Sequence, residues 1–158
     1  MTPYARRSIP TCPPPRHTPL VYRCFLLLLC SAYLQGGLEK LLNYPAAIAE
    51  MRHFGMAPAG LFALLTIAGE LGGSLMILAG MLRWIGALYL ALFTLAANFL
   101  ANRFWLLDGM ARTMSENGFF EHLGLVGAFL IVAWIDLRGR DALSDAAISC
   151  AGKPAVPR

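Results

Sequence analysis

Four long apolar segments dominate this 158-residue chain. They cover about residues 20–42, 58–81, 84–105 and 118–137, with polar or proline-containing sequence between them. A helix needs about 20 predominantly apolar residues to cross the hydrocarbon of a bilayer. Because unpaired backbone groups are costly in lipid, such segments cross as helices. The sequence therefore predicts an all-α integral membrane protein, a four-helix bundle within a lipid bilayer.

The composition supports the same class. Charged residues make up 14% of the chain and hydrophobic residues 58%, whereas about a quarter of the residues of a soluble domain are charged. Most of the lysines and arginines lie in the two terminal segments, so we interpret them as topology signals rather than a nucleic-acid surface. We expect no nucleic-acid partner.

A short amphipathic helix is predicted between the first and second spans, over Pro45–Phe54. Its proline suits the first turn of a helix, and Ile48, Met51 and Phe54 fall on one face at a spacing of three. Gly55 is placed to end it. We expect this helix to lie at the membrane interface.

The remaining segments are predicted to be irregular. Residues 1–19 hold six of the ten prolines and three arginines, which predicts a disordered basic tail. A polar loop is expected over Leu106–Glu116, and residues 139–158 are expected to form a flexible C-terminal tail. With both termini cytoplasmic, nine Lys and Arg lie inside and four outside. This imbalance predicts that topology.

Polar residues within the spans mark a candidate site. Such side chains usually face protein or a wet cavity, because hydrocarbon offers no hydrogen-bond partner. Successive spans run in opposite directions, so these residues meet in the outer half of the bilayer, with Glu70 beneath the others. We predict a polar pocket there. Its candidate members are Gln35, Glu39, Lys40, Glu70, Asn98, Asn102, Arg103 and His122.

Most of these residues also have structural explanations. Glu39 and Lys40 are placed to mark the end of the first crossing, with the lysine reaching the headgroups. Asn98 and Asn102 are suited to bonding neighbouring helices, and His122 to capping or bridging. One histidine with carboxylates is a poor set for a transition metal, so we predict no metal site.

Glu70 has the strongest claim to a role. It lies about 18 Å into the second span at 1.5 Å per residue. An unpaired carboxylate at this depth costs several kcal/mol, so we expect a proton, or a salt bridge to Lys40 or Arg103. Gly69 and Gly73 flank it as a small-x-x-x-small pair, which predicts close approach of another helix.

A series of short motifs resembles the DoxX family of small bacterial four-helix membrane proteins. The resemblance covers about residues 20–138. The motifs, in order, are Gly37-Leu38-Glu39-Lys40-Leu41, Pro45, Phe54-Gly55, Pro58, Glu70-Leu71-Gly72-Gly73, Gly80, Arg83, Phe104-Trp105 and Glu116-Asn117.

The resemblance implies a four-span bundle in a bacterial inner membrane. Similar proteins are associated with thiosulfate:quinone oxidoreductase activity or with membrane complexes for oxidative-stress defence. Only Lys40 and Glu70 are transferred as motif positions, and the resemblance together with helix direction makes Lys40 the first choice as partner of Glu70. The paired cysteines that a thiol oxidoreductase needs are missing.

Three functions follow as hypotheses. The first is an oxidoreductase subunit that handles a quinone or a small sulfur compound at the outer-half pocket, together with other membrane or redox subunits or as a homo-oligomer. The second is a non-catalytic accessory protein that assembles a membrane complex. The third is a small proton-coupled permease with Glu70 as its gate. Four spans are few for a transport pathway, and the polar residues do not reach the cytoplasmic side.

Overall fold

The computed structural model describes the backbone of residues 20–151 and the side chains of residues 20–142. The predicted basic tail over 1–19 and the last part of the C-terminal tail, 152–158, lie outside the described residues. The elements are α1 (Leu20–Leu42), α2 (Tyr44–His53), α3 (Ala59–Ala79), α4 (Arg83–Ala101), a short 3-10 helix (Phe104–Leu106) and α5 (Gly109–Ala151).

Four of these helices are long and apolar enough to cross a membrane. Large apolar side chains cover their outer surfaces, as Leu28 and Leu92 show, each 70% exposed. Such a surface is stable only against lipid. The predicted fold class is therefore confirmed, and the chain is a multi-pass membrane protein.

The short helix predicted between the first and second spans is present as α2, within a residue of its predicted bounds. Asn43 caps it by accepting a hydrogen bond from the backbone N–H of Ala46 at 3.4 Å. Gly55 follows it with a φ of +74°, a conformation that favours glycine. Its buried face is formed by Ala47 and Met51, which pack with Ala63 of α3.

Helix α5 is much longer than the predicted fourth span. It begins at Gly109, so most of the predicted loop over 106–116 is helical, and it continues to Ala151 through the first part of the predicted tail. Its 43 residues make it about 64 Å long, twice the hydrocarbon thickness. The polar stretches are therefore helix ends beyond the bilayer. A salt bridge between Arg140 and Asp136, one turn apart at 3.1 Å, supports the extension.

The helices pack in the order α1, α3, α4 and α5, each against the next. Helices α3 and α4 cross closely at Gly73 and Gly86: a Cβ on Gly86 would lie 2.8 Å from the carbonyl oxygen of Gly73. The predicted close approach at Gly73 is thus confirmed. Gly72 has no such neighbour within 4 Å.

Side chains of α1 also reach α4 and α5. The Tyr33 ring packs edge-on against Phe129 of α5, with 5.3 Å between ring centroids. Its hydroxyl lies 2.6 Å from the hydroxyl of Thr94 on α4. Nearer the other end of the bundle, Arg83 forms a salt bridge with Asp136 of α5 at 3.8 Å. These contacts close the bundle below the site described next.

Candidate functional site

A salt bridge between α1 and α3 forms the base of the candidate site. Lys40 Nζ lies 3.3 Å from Glu70 Oε1 and 3.4 Å from Oε2. Glu70 is only 7% exposed. The helices approach closely here because Gly37 faces Leu71 without a side chain of its own. The structure therefore contains the ion pair that was predicted for Glu70, with Lys40 as its cation.

Gly36 leaves this pair uncovered. A Cβ at Gly36 would lie 3.5 Å from Lys40 Nζ and 3.6 Å from Glu70 Oε2. A larger side chain would therefore cover both charged groups, whereas glycine leaves them facing the space beside α1. Lys40 has three N–H donors, and Glu70 takes two of them at long distance. The third is left for a ligand.

That space is a cavity of about 530 Å³ to which all five α-helices contribute. Its size falls in the range of small-molecule binding pockets. The walls are mainly apolar and aromatic. The polar and charged lining residues are Tyr33, Lys40, Glu50, Thr66, Glu70, Tyr89, Thr94 and His122.

The cavity is open at its side. Three lining residues, Leu65 of α3 and Tyr89 and Leu100 of α4, are 53%, 42% and 39% exposed. All three lie within membrane-spanning helices, so the surface to which they are exposed is lipid. The cavity therefore borders the lipid-facing surface of α3 and α4.

His122 contributes one ring nitrogen to the cavity. Its Nδ1 lies 2.6 Å from the carbonyl oxygen of Gly118, one turn earlier in α5. A carbonyl oxygen only accepts hydrogen bonds, so Nδ1 carries the proton. Nε2 is therefore the nitrogen left for a ligand, and in the neutral ring it is an acceptor.

Tyr33 and Thr94 form a hydrogen-bonded pair at the base of the cavity. The Thr94 hydroxyl donates to the Leu90 carbonyl at 2.6 Å. Its single hydrogen is then used, so the Tyr33 hydroxyl is the donor in the 2.6 Å bond between the two side chains. The Tyr33 oxygen keeps its lone pairs and is available as an acceptor.

Two predicted members of the pocket lie outside it. Gln35 and Glu39 are exposed on the opposite face of α1, where Gln35 Nε2 donates to Glu39 Oε2 at 2.8 Å. Residues two positions apart point to nearly opposite sides of a helix, and Tyr33 faces the interior. Gln35 and Glu39 therefore share the level of the pocket but not its face.

The polar residues at the end of α4 bond to backbone or to one another instead of lining the cavity. Asn98 is 1% exposed and donates to the carbonyl oxygen of Phe119 on α5 at 2.9 Å. Asn102 donates to Asn98 Oδ1 at 2.8 Å. Arg103 is exposed and donates to the Leu100 carbonyl at 3.0 Å. Of the eight predicted members, Lys40, Glu70 and His122 line the cavity.

Sequence reasoning missed five polar lining residues, two of them on α1 and α2. Tyr33 shares the face of Lys40, since Cys30, Tyr33, Gly37 and Lys40 follow one another at spacings of three and four. That periodicity was a usable signal. Glu50 of α2 carried none, because its position depends on how the interfacial helix folds back over α3. The other three are Thr66 on α3 and Tyr89 and Thr94 on α4.

Across residues 20–142, no group of three or more metal-ligating side chains converges. Cys24 is exposed and Cys30 buried, and both are free thiols. The chemistry available at the cavity is therefore that of an ion pair, hydroxyl groups and an imidazole beside apolar walls.

Comparison with known families identifies the chain. The sequence profile described as DoxX matches residues 19–103, more than half of the 158 residues. The chain belongs to the DoxX family. The resemblance inferred from the motifs is confirmed, and the match includes Tyr33, Lys40, Glu70 and Thr94. His122 and the rest of α5 lie beyond the matched DoxX region. No curated protein and no solved structure gives a significant match to this DoxX protein.

Proposed function

We propose that this DoxX protein binds a quinone in the cavity, as a membrane subunit of a redox system in a bacterial inner membrane. The observation that supports this most directly is that the polar lining groups share the cavity with lipid-exposed residues of α3 and α4. A quinone is dissolved in the bilayer and carries its polar groups on a flat, apolar ring. The cavity combines polar lining groups with apolar and aromatic walls, which match these two parts of a quinone.

The polar lining groups suit both redox forms of a quinone. The free N–H of Lys40 would donate to a quinone carbonyl. A hydroquinone hydroxyl would donate to His122 Nε2 or to the Tyr33 oxygen, both of which have a free lone pair. Phe93 and Leu125 would pack on the ring. Electrons would pass to or from a partner subunit, and both termini would face the cytoplasm with the cavity in the outer half.

Extraction of bound molecules tests the proposal. Ala96 lines the cavity, and Ala96→Phe would fill part of it. Ala68 is exposed on α3 and does not line the cavity, so Ala68→Phe is the matched control. Mass spectrometry should find a quinone in purified wild type and in the control, and should find it depleted in Ala96→Phe. Equal amounts in all three proteins, or none in any, would contradict the proposal.

A second function, as an accessory protein of a membrane complex, has support from the Gln35–Glu39 pair. These side chains are exposed on the outer face of α1, where a polar group favours contact with another helix over contact with lipid. Gln35→Leu together with Glu39→Leu should then reduce the size of the native complex on a non-denaturing gel. Ser31→Leu, at another exposed polar position of α1, should not.

A further inference from the structure

The charges around the cavity are unbalanced. Among the described lysines and arginines, only Lys40 lines it, whereas two carboxylates do, those of Glu50 and Glu70. Lys40 is paired with Glu70. Within the described side chains, no lysine or arginine nitrogen lies within 4.0 Å of the Glu50 carboxylate. One negative charge therefore stays uncompensated at the cavity, on the side formed by α2.

Aromatic rings surround the same space. An aromatic face is negative, and a cation over it is attracted by about 0.5–1 kcal/mol at an exposed site and more when desolvated. Anions receive no such attraction. Aromatic rings arranged as a cage bind quaternary ammonium ligands in this way. The aromatic lining residues are Tyr33, Phe54, Phe62, Tyr89 and Phe93.

We infer that this cavity is a binding site for lipophilic organic cations, which it prefers over anions of equal size. Access from lipid selects apolar molecules, the aromatic rings and Glu50 favour a positive charge, and the walls accommodate the apolar substituents. The inference uses the same cavity as the proposed function but does not require a quinone. It also implies that an anionic sulfur compound is a poor ligand.

Two probe ions of opposite charge test this preference. Tetraphenylphosphonium and tetraphenylborate have nearly the same size and shape. Equilibrium dialysis of the full-length protein in an uncharged detergent, corrected for binding to empty micelles, should show saturable binding of the phosphonium ion. It should show at least tenfold weaker binding of the borate. Equal affinity for both ions, or tighter binding of the borate, would overturn the inference.

Reversing the charge of Glu50 tests whether this residue causes the preference for cations. Glu50 is exposed, so Glu50→Lys should fold, and a melting curve checks this. It should weaken phosphonium binding by about tenfold, since each exposed charge is worth a few-fold. Glu39→Lys makes the same charge reversal on α1, on the face that points away from the cavity. It should leave the affinity for the phosphonium ion unchanged. The milder Glu50→Gln should give an intermediate loss. Identical affinities in Glu50→Lys and Glu39→Lys would refute the role of Glu50.

A neutral quinone analogue separates this inference from the proposed function. If the analogue binds and the phosphonium ion does not, the cation inference fails alone. If the phosphonium ion binds and the analogue does not, the proposed redox function fails alone. Ala96→Phe should reduce binding of whichever ligand occupies the cavity, and Ala68→Phe should not.

Discussion

The buried ion pair gives the most quantitative prediction. Lys40→Met leaves Glu70, which is 7% exposed, without its cation. Glu70→Gln leaves Lys40 unpaired, but the Lys40 side chain is 19% exposed against 9% for the Glu70 side chain, and it is long enough to turn toward the headgroups. Lys40→Met should therefore lower the free energy of unfolding more than Glu70→Gln does. The double variant removes both charges together.

The size of the effect follows from burial. Removing one partner of a buried ion pair leaves an uncompensated charge and costs about 3–5 kcal/mol, so Lys40→Met should cost about 3 kcal/mol. Glu70→Gln should cost about 1–2 kcal/mol. The double variant should be more stable than the sum of the single changes by about 2 kcal/mol.

Unfolding in mixed micelles with increasing sodium dodecyl sulfate measures these free energies. Glu39→Gln is the control, since Glu39 is the preceding residue of α1 but is exposed on the other face, and it should change stability little. Additive costs, with a coupling below about 0.5 kcal/mol, would refute the ion pair. If the pair also serves the ligand, the double variant should be folded but should bind less of it.

Three further predictions follow from the packing and the charge distribution. Gly86→Ala should lower the free energy of unfolding by about 1–3 kcal/mol relative to Gly72→Ala, because only Gly86 faces a backbone carbonyl of α3 and the gain in helix propensity is common to both. Equal melting temperatures would contradict the helix crossing. Tyr33→Phe should cost about 1 kcal/mol through the lost hydrogen bond, measured by the same unfolding assay. Reporter fusions at Pro15 and after Asp145 should both report cytoplasm, and an external signal from either would reverse the topology.

Much of the architecture was predictable because hydrocarbon imposes strict limits on length and polarity. The four spans and the short helix α2 lie close to their predicted bounds. The exception is α5, whose polar ends resemble loops in sequence although they are helix beyond the apolar span. Hydropathy reports the environment of a segment, and it does not report where a helix ends in water. Local contacts such as Arg140 with Asp136 decide that.

The level of the candidate residues in the membrane was predictable from the sequence, but the direction in which their side chains point was only partly so. Glu70 and Lys40 were paired correctly because burial of a carboxylate demands a cation. Gln35 and Glu39 were placed by their level in the membrane, whereas their position around the helix axis turns them outward. Asn98 donates a hydrogen bond to the backbone of α5. Predicting that bond requires knowing how α5 packs against α4.

Photo-crosslinking tests most directly whether the cavity is a ligand site. A quinone carrying a photoreactive group would be activated with the purified protein, and the labelled peptides would be mapped by mass spectrometry. We predict labelling of cavity-lining segments, around Ala32–Lys40 and Tyr89–Ala101, that excess unlabelled quinone prevents. Labelling confined to lipid-facing positions such as Leu28 and Leu75, unaffected by competitor, would contradict a quinone site in this bundle.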